Sequence, residues 1–302
     1  MRDFVNIGRR NLFRCAGALA SVAALPIGTV AGTANSAGVF IRKLSWAGIL
    51  IETNLTALFI DVTAPDATKG EPPDLLATSR APYAVITHHH SDHFDNETLR
   101  AILGKGGRLV CLRETADWAD TRGLRVQPVE MWQPVFFPPS GDDLVAFPVP
   151  AVDGWGSPQA SWVIDGLGVR MFHGGDTQWH GRFADIGRAY GPFEAAFLPI
   201  NGARQNDGRF VDKGIPAVLT PQQAVAAAQE LRAGMVVPIH FGGSDPPRYV
   251  ETPHPLSELQ KAAADAKLMV RVLRTGESLH LEKATGGCQD MEAARAREFY
   301  RY

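Results

Sequence analysis

The sequence has few cysteines and no long basic run. It holds 3 cysteines in 302 residues, with Cys111 in an apolar stretch and Cys288 in a polar tail, so their spacing does not indicate a disulfide framework. The formal net charge is −2, and Lys and Arg do not cluster outside the extreme N-terminus. Because clustered basic side chains bind the phosphate backbone, the sequence gives no reason to expect a nucleic-acid partner.

Two common catalytic motifs are also missing. The chain has no Gly-x-Ser-x-Gly segment, which carries the nucleophile of many serine hydrolases, and no Gly-x-x-x-x-Gly-Lys phosphate loop. With 45% hydrophobic residues and no internal repeat, the chain can instead bury an ordinary globular core. Any hydrolytic chemistry therefore needs another source of nucleophile.

Residues 1–37 have the pattern of an export signal. Arg9 and Arg10 form a twin-arginine start, a small apolar stretch follows over residues 16–31, and small residues continue to Ala37. A membrane anchor is the alternative, but this stretch is shorter than the ~20 apolar residues that span a bilayer. The pattern predicts a cleaved twin-arginine signal peptide, a periplasmic or secreted mature chain, and no stable membrane anchor.

The remainder of the chain alternates short apolar runs with helical patterns. Thr220-Pro221-Gln222-Gln223 has the features of a helix start, because threonine can cap, proline suits the first helical position and Gln223 completes a capping box. Other helices are predicted from Asn96 to Leu103 and over residues 256–267. Strand-rich halves that each carry helices predict an α/β sandwich over residues 38–282. Residues 283–302 form a charged C-terminal tail.

One segment, THHHSDHFD at residues 87–95, concentrates metal-binding side chains directly after an apolar strand. His88 and His90 alternate and can face one way, while Asp92 and His93 follow after a turn. Imidazole and carboxylate ligands suit zinc, manganese or iron. This cluster at the end of a strand predicts a metal site.

Two later strands end in the same manner. The run that closes at His173 leads into Asp176, and the run that closes at Ile239 leads into His240. Alone, Asp176 would be interpreted as a turn residue and His240 as a core histidine. Because the loop after a strand can direct its polar groups into a shared cleft, both residues are expected to join the first cluster.

These motifs resemble the metallo-β-lactamase superfamily, and within it the branch of L-ascorbate-6-phosphate lactonase and N-acylphosphatidylethanolamine phospholipase D. The matching segments are His88-x-His90-x-Asp92-His93, Gly175-Asp176-Thr177 and Pro238-Ile239-His240-Phe241-Gly242. The resemblance implies an αββα four-layer sandwich of two pseudo-symmetric halves with two divalent metal ions, zinc being expected and manganese or iron the alternatives. It assigns the metal ligands as follows: His88 and His90 to the first ion, Asp92, His93 and His240 to the second, and Asp176 between them.

The chain departs from the family at one ligand. Where the family places another histidine for the first ion, this sequence has Asp153, in Ala151-Val152-Asp153-Gly154-Trp155. A carboxylate binds zinc at about the same distance as imidazole, and it would shift the preference of this site toward manganese or iron. The competing interpretation makes Asp153 a loop residue beside a weak first site.

The sequence thus predicts a metal-dependent hydrolase that acts on a small molecule, with a water shared by the two ions attacking a lactone, phosphodiester or related ester or amide. Asp92 and Asp176 are expected at the reacting centre. His180 follows Asp176 closely enough to be a proton donor, or else it is a surface residue. Arg204 is the candidate contact for an anionic substrate.

Two other functions remain open at this stage. Asp153 in place of histidine would permit a mononuclear iron enzyme of the same fold that carries out oxygen chemistry. Loss of activity would leave an inactive periplasmic metal-binding protein. Neither the substrate nor the oligomeric state can be read from the sequence.

Overall fold

A computed structural model of the 302-residue chain describes residues 38–63, 76–137, 144–205 and 214–282. The predicted signal peptide at residues 1–37 and the predicted tail at residues 283–302 lie outside the described residues. None of the helices within the described ranges combines the length and the apolar character that crossing a bilayer requires.

The secondary structure alternates strands and helices along the chain, as the sequence predicts. The strands are β1 (Gly38–Lys43), β2 (Ile49–Glu52), β3 (Thr56–Ile60), β4 (Ala81–Val85), β5 (Arg108–Leu112), β6 (Val126–Val129), β7 (Val135–Phe136), β8 (Val145–Pro150), β9 (Ala160–Gly166), β10 (Val169–His173), β11 (Ala195–Pro199), β12 (Arg204–Gln205), β13 (Met235–Ile239), β14 (Tyr249–Val250), β15 (Met269–Val270) and β16 (Ser278–Glu282). The helices are α1 (Asn96–Leu103), α2 (Arg113–Trp118), α3 (Phe183–Tyr190), α4 (Pro221–Glu230) and α5 (Pro255–Asp265).

Fourteen of these strands form two seven-stranded sheets with matching topology. In the first sheet, with order β16-β1-β2-β3-β4-β5-β6, the strands β1 to β3 are antiparallel and β3 to β6 are parallel. In the second sheet, with order β15-β13-β11-β10-β9-β8-β7, β8 to β10 are antiparallel, whereas β10, β11, β13 and β15 are parallel. The two halves are therefore pseudo-symmetric, with β3 and β10 in equivalent positions.

Strand periodicity distributes the apolar residues over both faces of each sheet. In β2, Ile49 and Ile51 face the core between the sheets, while Leu50 packs on the outer side with Leu99 and Leu103 of α1. Helices α3, α4 and α5 cover the outer face of the second sheet. Helices on both outer faces complete four layers, which confirms the predicted αββα sandwich.

The ends of the helices follow the signals in the sequence. Thr220 accepts a hydrogen bond from Gln223 N, and the Gln223 side chain accepts one from Thr220 N, so the predicted capping box is confirmed. Helix α1 begins after Asp95, whose side chain accepts a hydrogen bond from Thr98 N. The edge strand β6 was not predicted, because Pro128 interrupts its apolar pattern. Proline is tolerated at a sheet edge.

Candidate metal centre

Four side chains from three separate loops converge in one place. Asp92 and His93 follow β4, Asp176 follows β10 and His240 follows β13, and one ligand atom from each lies within 4.8 Å of the others. His93 Nε2 is 2.9 Å from Asp176 Oδ1, and His240 Nε2 is 2.9 Å from Asp176 Oδ2. In the part of the chain that the structure describes, this is the one such group of three or more His, Cys, Asp or Glu side chains.

The contacts within this group suit a metal ion better than mutual hydrogen bonds. His93 Nε2, His240 Nε2 and Asp176 Oδ1 are buried, and none of them has a hydrogen-bond partner, although the atoms are close together. Buried polar atoms left in this state are costly unless another group satisfies them. Imidazole nitrogen and carboxylate oxygen are a donor set for zinc, manganese or iron. The residues present therefore fit a divalent metal ion.

Electrostatic interactions within the group shift its pKa values in opposite directions. Burial by itself would lower the pKa of His93 and His240, but Asp176 and Asp92 raise both above the usual value. Burial by itself would raise the pKa of Asp92 and Asp176, but the two imidazoles hold both carboxyl pKa values below their usual range. Without a metal ion, the two carboxylates therefore favour the protonated form of both imidazoles.

Asp61, at the end of β3, orients two of the histidines. Its carboxylate accepts hydrogen bonds from Thr87 N and from Thr87 Oγ1, both at 2.8 Å, and lies 2.9 Å from His93 Nδ1. Thr87 Oγ1, whose proton goes to Asp61, accepts from His88 Nδ1 at 3.0 Å. Both rings are thus held with Nε2 directed toward Asp176, as metal-binding histidines usually are by their outer partners.

The other half of the expected site is assembled differently. His88 Nε2 lies 3.9 Å from Asp176 Oδ2, and burial, followed by His93, lowers the pKa of His88 to about 3. His90 Nε2 lies 2.8 Å from Ser157 Oγ, and its buried Nδ1 has no hydrogen-bond partner. Asp153 Oδ2 accepts a hydrogen bond from Ser157 N at 2.7 Å. His88, His90 and Asp153 lie outside the convergent group of four.

His180 and Arg204 also lie outside that group. The His180 ring stacks on Phe183 with centroids 4.0 Å apart, and its Nδ1 accepts a hydrogen bond from Arg182 N. Burial, followed by the nearby Arg182 charge, lowers the pKa of His180 to about 4. Arg204 is exposed on β12, where it pairs with Val250 of β14. Their predicted roles in proton donation and substrate binding stay predictions.

A cleft beside the group is lined by Asp153, Asp176 and His240 together with Trp155, Ala203, Ala217, Val218 and Tyr249. Sequence reasoning missed Tyr249, whose hydroxyl accepts a hydrogen bond from the buried Asn201 Nδ2 at 2.8 Å. It also missed Trp46, whose Nε1 donates to Asp92 Oδ2 at 3.0 Å. Neither lies in a motif, and only the folded chain brings them to the site.

Comparison with known proteins places the chain in a family. A family model described as "Beta-lactamase superfamily domain" matches residues 49–241. A protein of Thermococcus kodakarensis named as a metal-dependent hydrolase is 26% identical over 250 residues, covering 80% of this chain and 100% of its own length. An uncharacterised protein of Mycobacterium tuberculosis H37Rv is 29% identical over 211 residues, covering 66% of this chain. The chain spans only 53% of that mycobacterial protein.

Solved structures share the fold at low sequence identity. Igni18, described as a metallo hydrolase from Ignicoccus hospitalis, has a TM-score of 0.65 at 22% identity, covering 81% of this chain and 99% of its own. CmlA, described as a diiron β-hydroxylase from Streptomyces venezuelae, has a TM-score of 0.60 at 15% identity, covering 82% of this chain and 54% of its own. At such identities the likeness concerns the fold alone.

Proposed function

The chain belongs to the beta-lactamase superfamily, and we propose that it is a metal-dependent hydrolase of small molecules. The observation that carries the proposal is the convergence of Asp92, His93, Asp176 and His240, with buried atoms that lack hydrogen-bond partners. The Thermococcus kodakarensis relative is named as a metal-dependent hydrolase, and the match covers all of that relative and 80% of this chain. This relative supports the same function.

The proposed ligands divide into two sets that share Asp176. Asp92, His93 and His240 would hold one divalent ion, and His88 and His90 the other, with Asp153 as the third ligand of that second set. Bound there, metal ions would lower the pKa of water and stabilise the negative charge that develops on a carbonyl or phosphoryl oxygen. Zinc is the proposed metal, because imidazole predominates among the ligands.

The residues around the ions would control orientation and access. Asp61 holds His93 by its Nδ1, so the Nε2 lone pair remains available. The Asp92 side chain is 27% exposed, whereas those of His93, Asp176 and His240 are at most 3% exposed. Asp92 is therefore the member of the group that water or a substrate can reach.

The cleft indicates what part of a substrate lies beside the reacting bond. Trp155, Val218 and Tyr249 adjoin Asp176 and His240 there together with two alanines, so an apolar portion of the substrate would lie against their outer surface. We propose a lactone, phosphodiester or related ester or amide as the reacting group. Arg204, exposed on β12, would reach an anionic portion outside the cleft.

One alternative has a specific observation in its favour. His88, His90 and Asp153 together are two imidazoles and one carboxylate, a set that suits iron in oxygen-activating enzymes. CmlA, which shares the fold, is described as a diiron β-hydroxylase. On this alternative the chain would bind redox-active iron and consume oxygen.

Metal content and activity measured together would test the proposal. The purified protein would be analysed for zinc, manganese and iron and then assayed, after loading with each metal, against ester, lactone and phosphodiester substrates. Zinc or manganese with hydrolysis supports the hydrolase. Iron with oxygen consumption and no hydrolysis supports the alternative, and bound metal with neither activity indicates a protein that binds metal without catalysis.

We also propose that the protein is exported by the twin-arginine route, which transports folded proteins. Arg9 and Arg10 support this proposal from the sequence alone. Replacement of both by lysine should retain the protein inside the cell with residues 1–37 uncleaved. Unimpaired export of the double variant would contradict the proposal.

A further inference from the structure

Lys43, the last residue of β1, has a buried ammonium group. The residue is 5% exposed, and its Nζ, which carries three N–H donors, lies within hydrogen-bond distance of four backbone carbonyls in the following turn. The acceptors are Leu44 O at 3.0 Å, Ser45 O at 2.9 Å, Trp46 O at 2.8 Å and Gly48 O at 3.3 Å. Residues 44–48, which connect β1 to β2, are called the 44–48 turn below.

The shape of this turn depends on the ammonium. Its carbonyls point toward a common centre. Ser45 O, Trp46 O and Gly48 O each also accept a backbone N–H, so an apolar side chain at position 43 would leave Leu44 O without a donor and would remove the one group that joins all four carbonyls. Trp46 also has a φ of 41°, in the left-handed region that bulky residues rarely adopt. Backbone in this region persists only where surrounding contacts hold it. Lys43 provides the central contact.

The same turn contacts two members of the metal-binding group directly. The Trp46 indole N–H donates to Asp92 Oδ2 at 3.0 Å. Trp46 O, which accepts from Lys43 Nζ, also accepts from His240 N at 3.2 Å. The Trp46 and His240 rings lie against each other with centroids 4.3 Å apart. A shift of Trp46 would therefore displace both ligands.

Hydrogen bonds also connect the 44–48 turn to the backbone next to Asp176. His173 Nε2 donates to Ala47 O at 2.9 Å, and His173 Nδ1 accepts a hydrogen bond from Gly175 N at 3.3 Å. Gly175 immediately precedes Asp176 and has a φ of 60°. The 44–48 turn is thus connected to the backbone beside the third ligand.

We propose that Lys43 is a positioning residue for the metal centre, acting through the 44–48 turn to place Asp92, His240 and Asp176. This inference rests on the proposed metal-dependent function, since it concerns the same centre. The charge of Lys43 holds the turn, and the turn holds the ligands through Trp46 and His173.

The central experiment compares metal binding by full-length wild-type protein and Lys43→Met, which preserves side-chain length but removes the donors. Metal-free protein would be titrated with zinc, and the visible spectrum of the cobalt-loaded protein would report ligand geometry. We expect zinc affinity to fall by about 10-fold to 100-fold, as when outer partners of metal ligands are removed. We also expect a changed cobalt spectrum.

Two controls separate positioning from loss of stability or charge. Leu103→Ala removes a buried side chain from α1, on the outer face of the first sheet, and should destabilise the fold without changing zinc affinity. Lys261→Met removes an exposed lysine from α5 and should change neither property. If Lys43→Met behaves like Leu103→Ala, with lower stability but wild-type zinc affinity and cobalt spectrum, the positioning role is wrong.

Trp46→Phe keeps the test decisive if Lys43→Met does not fold. This variant preserves the ring against His240 and removes only the N–H that reaches Asp92, so zinc affinity should fall. Where both variants fold, the loss of zinc-binding free energy in the double variant should be smaller than the sum of the losses in the two single variants, because both changes act through one turn. Wild-type affinity in Trp46→Phe, or strictly independent effects, would overturn the proposal.

The ligand variant His240→Ala distinguishes a failure of the role proposed for Lys43 from a failure of the proposed metal centre. If His240→Ala loses metal while Lys43→Met and Trp46→Phe do not, the metal centre stands and the role of Lys43 is wrong. If His240→Ala also retains full zinc affinity, the proposed centre itself is wrong.

Discussion

The two halves of the candidate metal centre use the same kinds of side chain but differ in how those side chains are supported. Asp92, His93, Asp176 and His240 converge within 4.8 Å, whereas His88, His90 and Asp153 form no such group in the described residues. In the convergent half, Asp61 fixes His93 through its Nδ1, and Trp46 fixes Asp92 through its indole N–H. In the other half, His88 contacts Asp61 only through Thr87 Oγ1, and Asp153 and His90 both bond to Ser157.

This difference indicates that the outer partners of the ligands, as well as the ligands themselves, decide which half is preorganised. A carboxylate behind His93 fixes the ring and increases its basicity. The Ser157 hydroxyl fixes the His90 ring without adding charge, and the Ser157 N–H occupies one oxygen of Asp153. We therefore expect the convergent half to bind metal more tightly.

The largest effect is expected from His240→Ala. Loss of a direct ligand should weaken the convergent half by more than the ~100-fold upper figure for outer partners, with hydrolysis falling in parallel. Equilibrium dialysis with zinc would measure the affinity. His254→Ala is the matched control, because His254 is exposed and shares the positive φ, 52° against 55° for His240. Both variants carry similar backbone strain, and equal metal loss in both would contradict the assignment.

Asp61→Asn should have the next largest effect. Asparagine tolerates the φ of 50° at this position but cannot provide a second acceptor oxygen for Thr87 and His93. Zinc affinity is expected to fall by about 10-fold to 100-fold. Calorimetric titration of the metal-free variant would measure this change. If affinity stays at the wild-type level, Asp61 does not orient His93.

Substitutions at Asp153 should affect only the less convergent half. Asp153→Ala removes both the proposed ligand and the acceptor for Ser157 N, so the ion held by His88 and His90 should bind more weakly while binding to the convergent half stays unchanged. Asp153→His should increase the preference for zinc over manganese, because imidazole is the softer ligand. Asp153→Asn retains an acceptor for Ser157 N without the charge. Metal competition assays that give equal results for all three variants and wild type would exclude Asp153 as a ligand.

Proton release should also distinguish the two halves. Folding raises the pKa of His93 and His240, so in the metal-free protein they contribute stability that is full below about pH 6.5 and is lost as pH rises through the raised values. Metal binding must displace these protons. His88, with a pKa of about 3, is already neutral. Near pH 7 the first zinc equivalent should release more protons than the second, and calorimetry in buffers of different ionisation enthalpy would measure both.

The smallest effect is expected at His180, if its packing rather than its chemistry explains its position. His180→Ala removes a ring that stacks on Phe183 and should cost about 1 kcal/mol of stability, in the usual range for single substitutions. Zinc affinity should not change. Measurement of kcat separates the interpretations, since a large fall with unchanged stability would support the predicted proton donor.

The sequence predicted the fold and the segments that carry the site, because both depend on local patterns. Strand runs, the capping box at Thr220 and the histidine cluster at residues 88–93 all have short-range signals, and the predicted superfamily and sandwich are confirmed. Lys43 and Trp46 had no such signal. Trp46 reaches Asp92 only through tertiary packing that brings together residues 46 positions apart, and Lys43 acts through Trp46.

The asymmetry between the halves was also beyond the sequence. Asp153 was identified as a departure from the family, but the hydrogen bond from Ser157 N that occupies its Oδ2 depends on how the loop continues after the turn from Asp153 to Gly156. The same holds for the Ser157 hydroxyl beside His90 Nε2. The finer resemblance to the lactonase and phospholipase D branch stays a prediction.

The central claim is that Asp92, His93, Asp176 and His240 form a preorganised metal site that is stronger than its neighbour. Zinc titration of metal-free wild-type protein, His240→Ala and Asp153→Ala tests it most directly. We expect zinc to bind to two classes of site in wild type, the tighter class at least about tenfold stronger than the other. The tighter class should be lost in His240→Ala, and the weaker class should lose affinity in Asp153→Ala. Two equal classes in wild type, or an intact tighter class in His240→Ala, would contradict it.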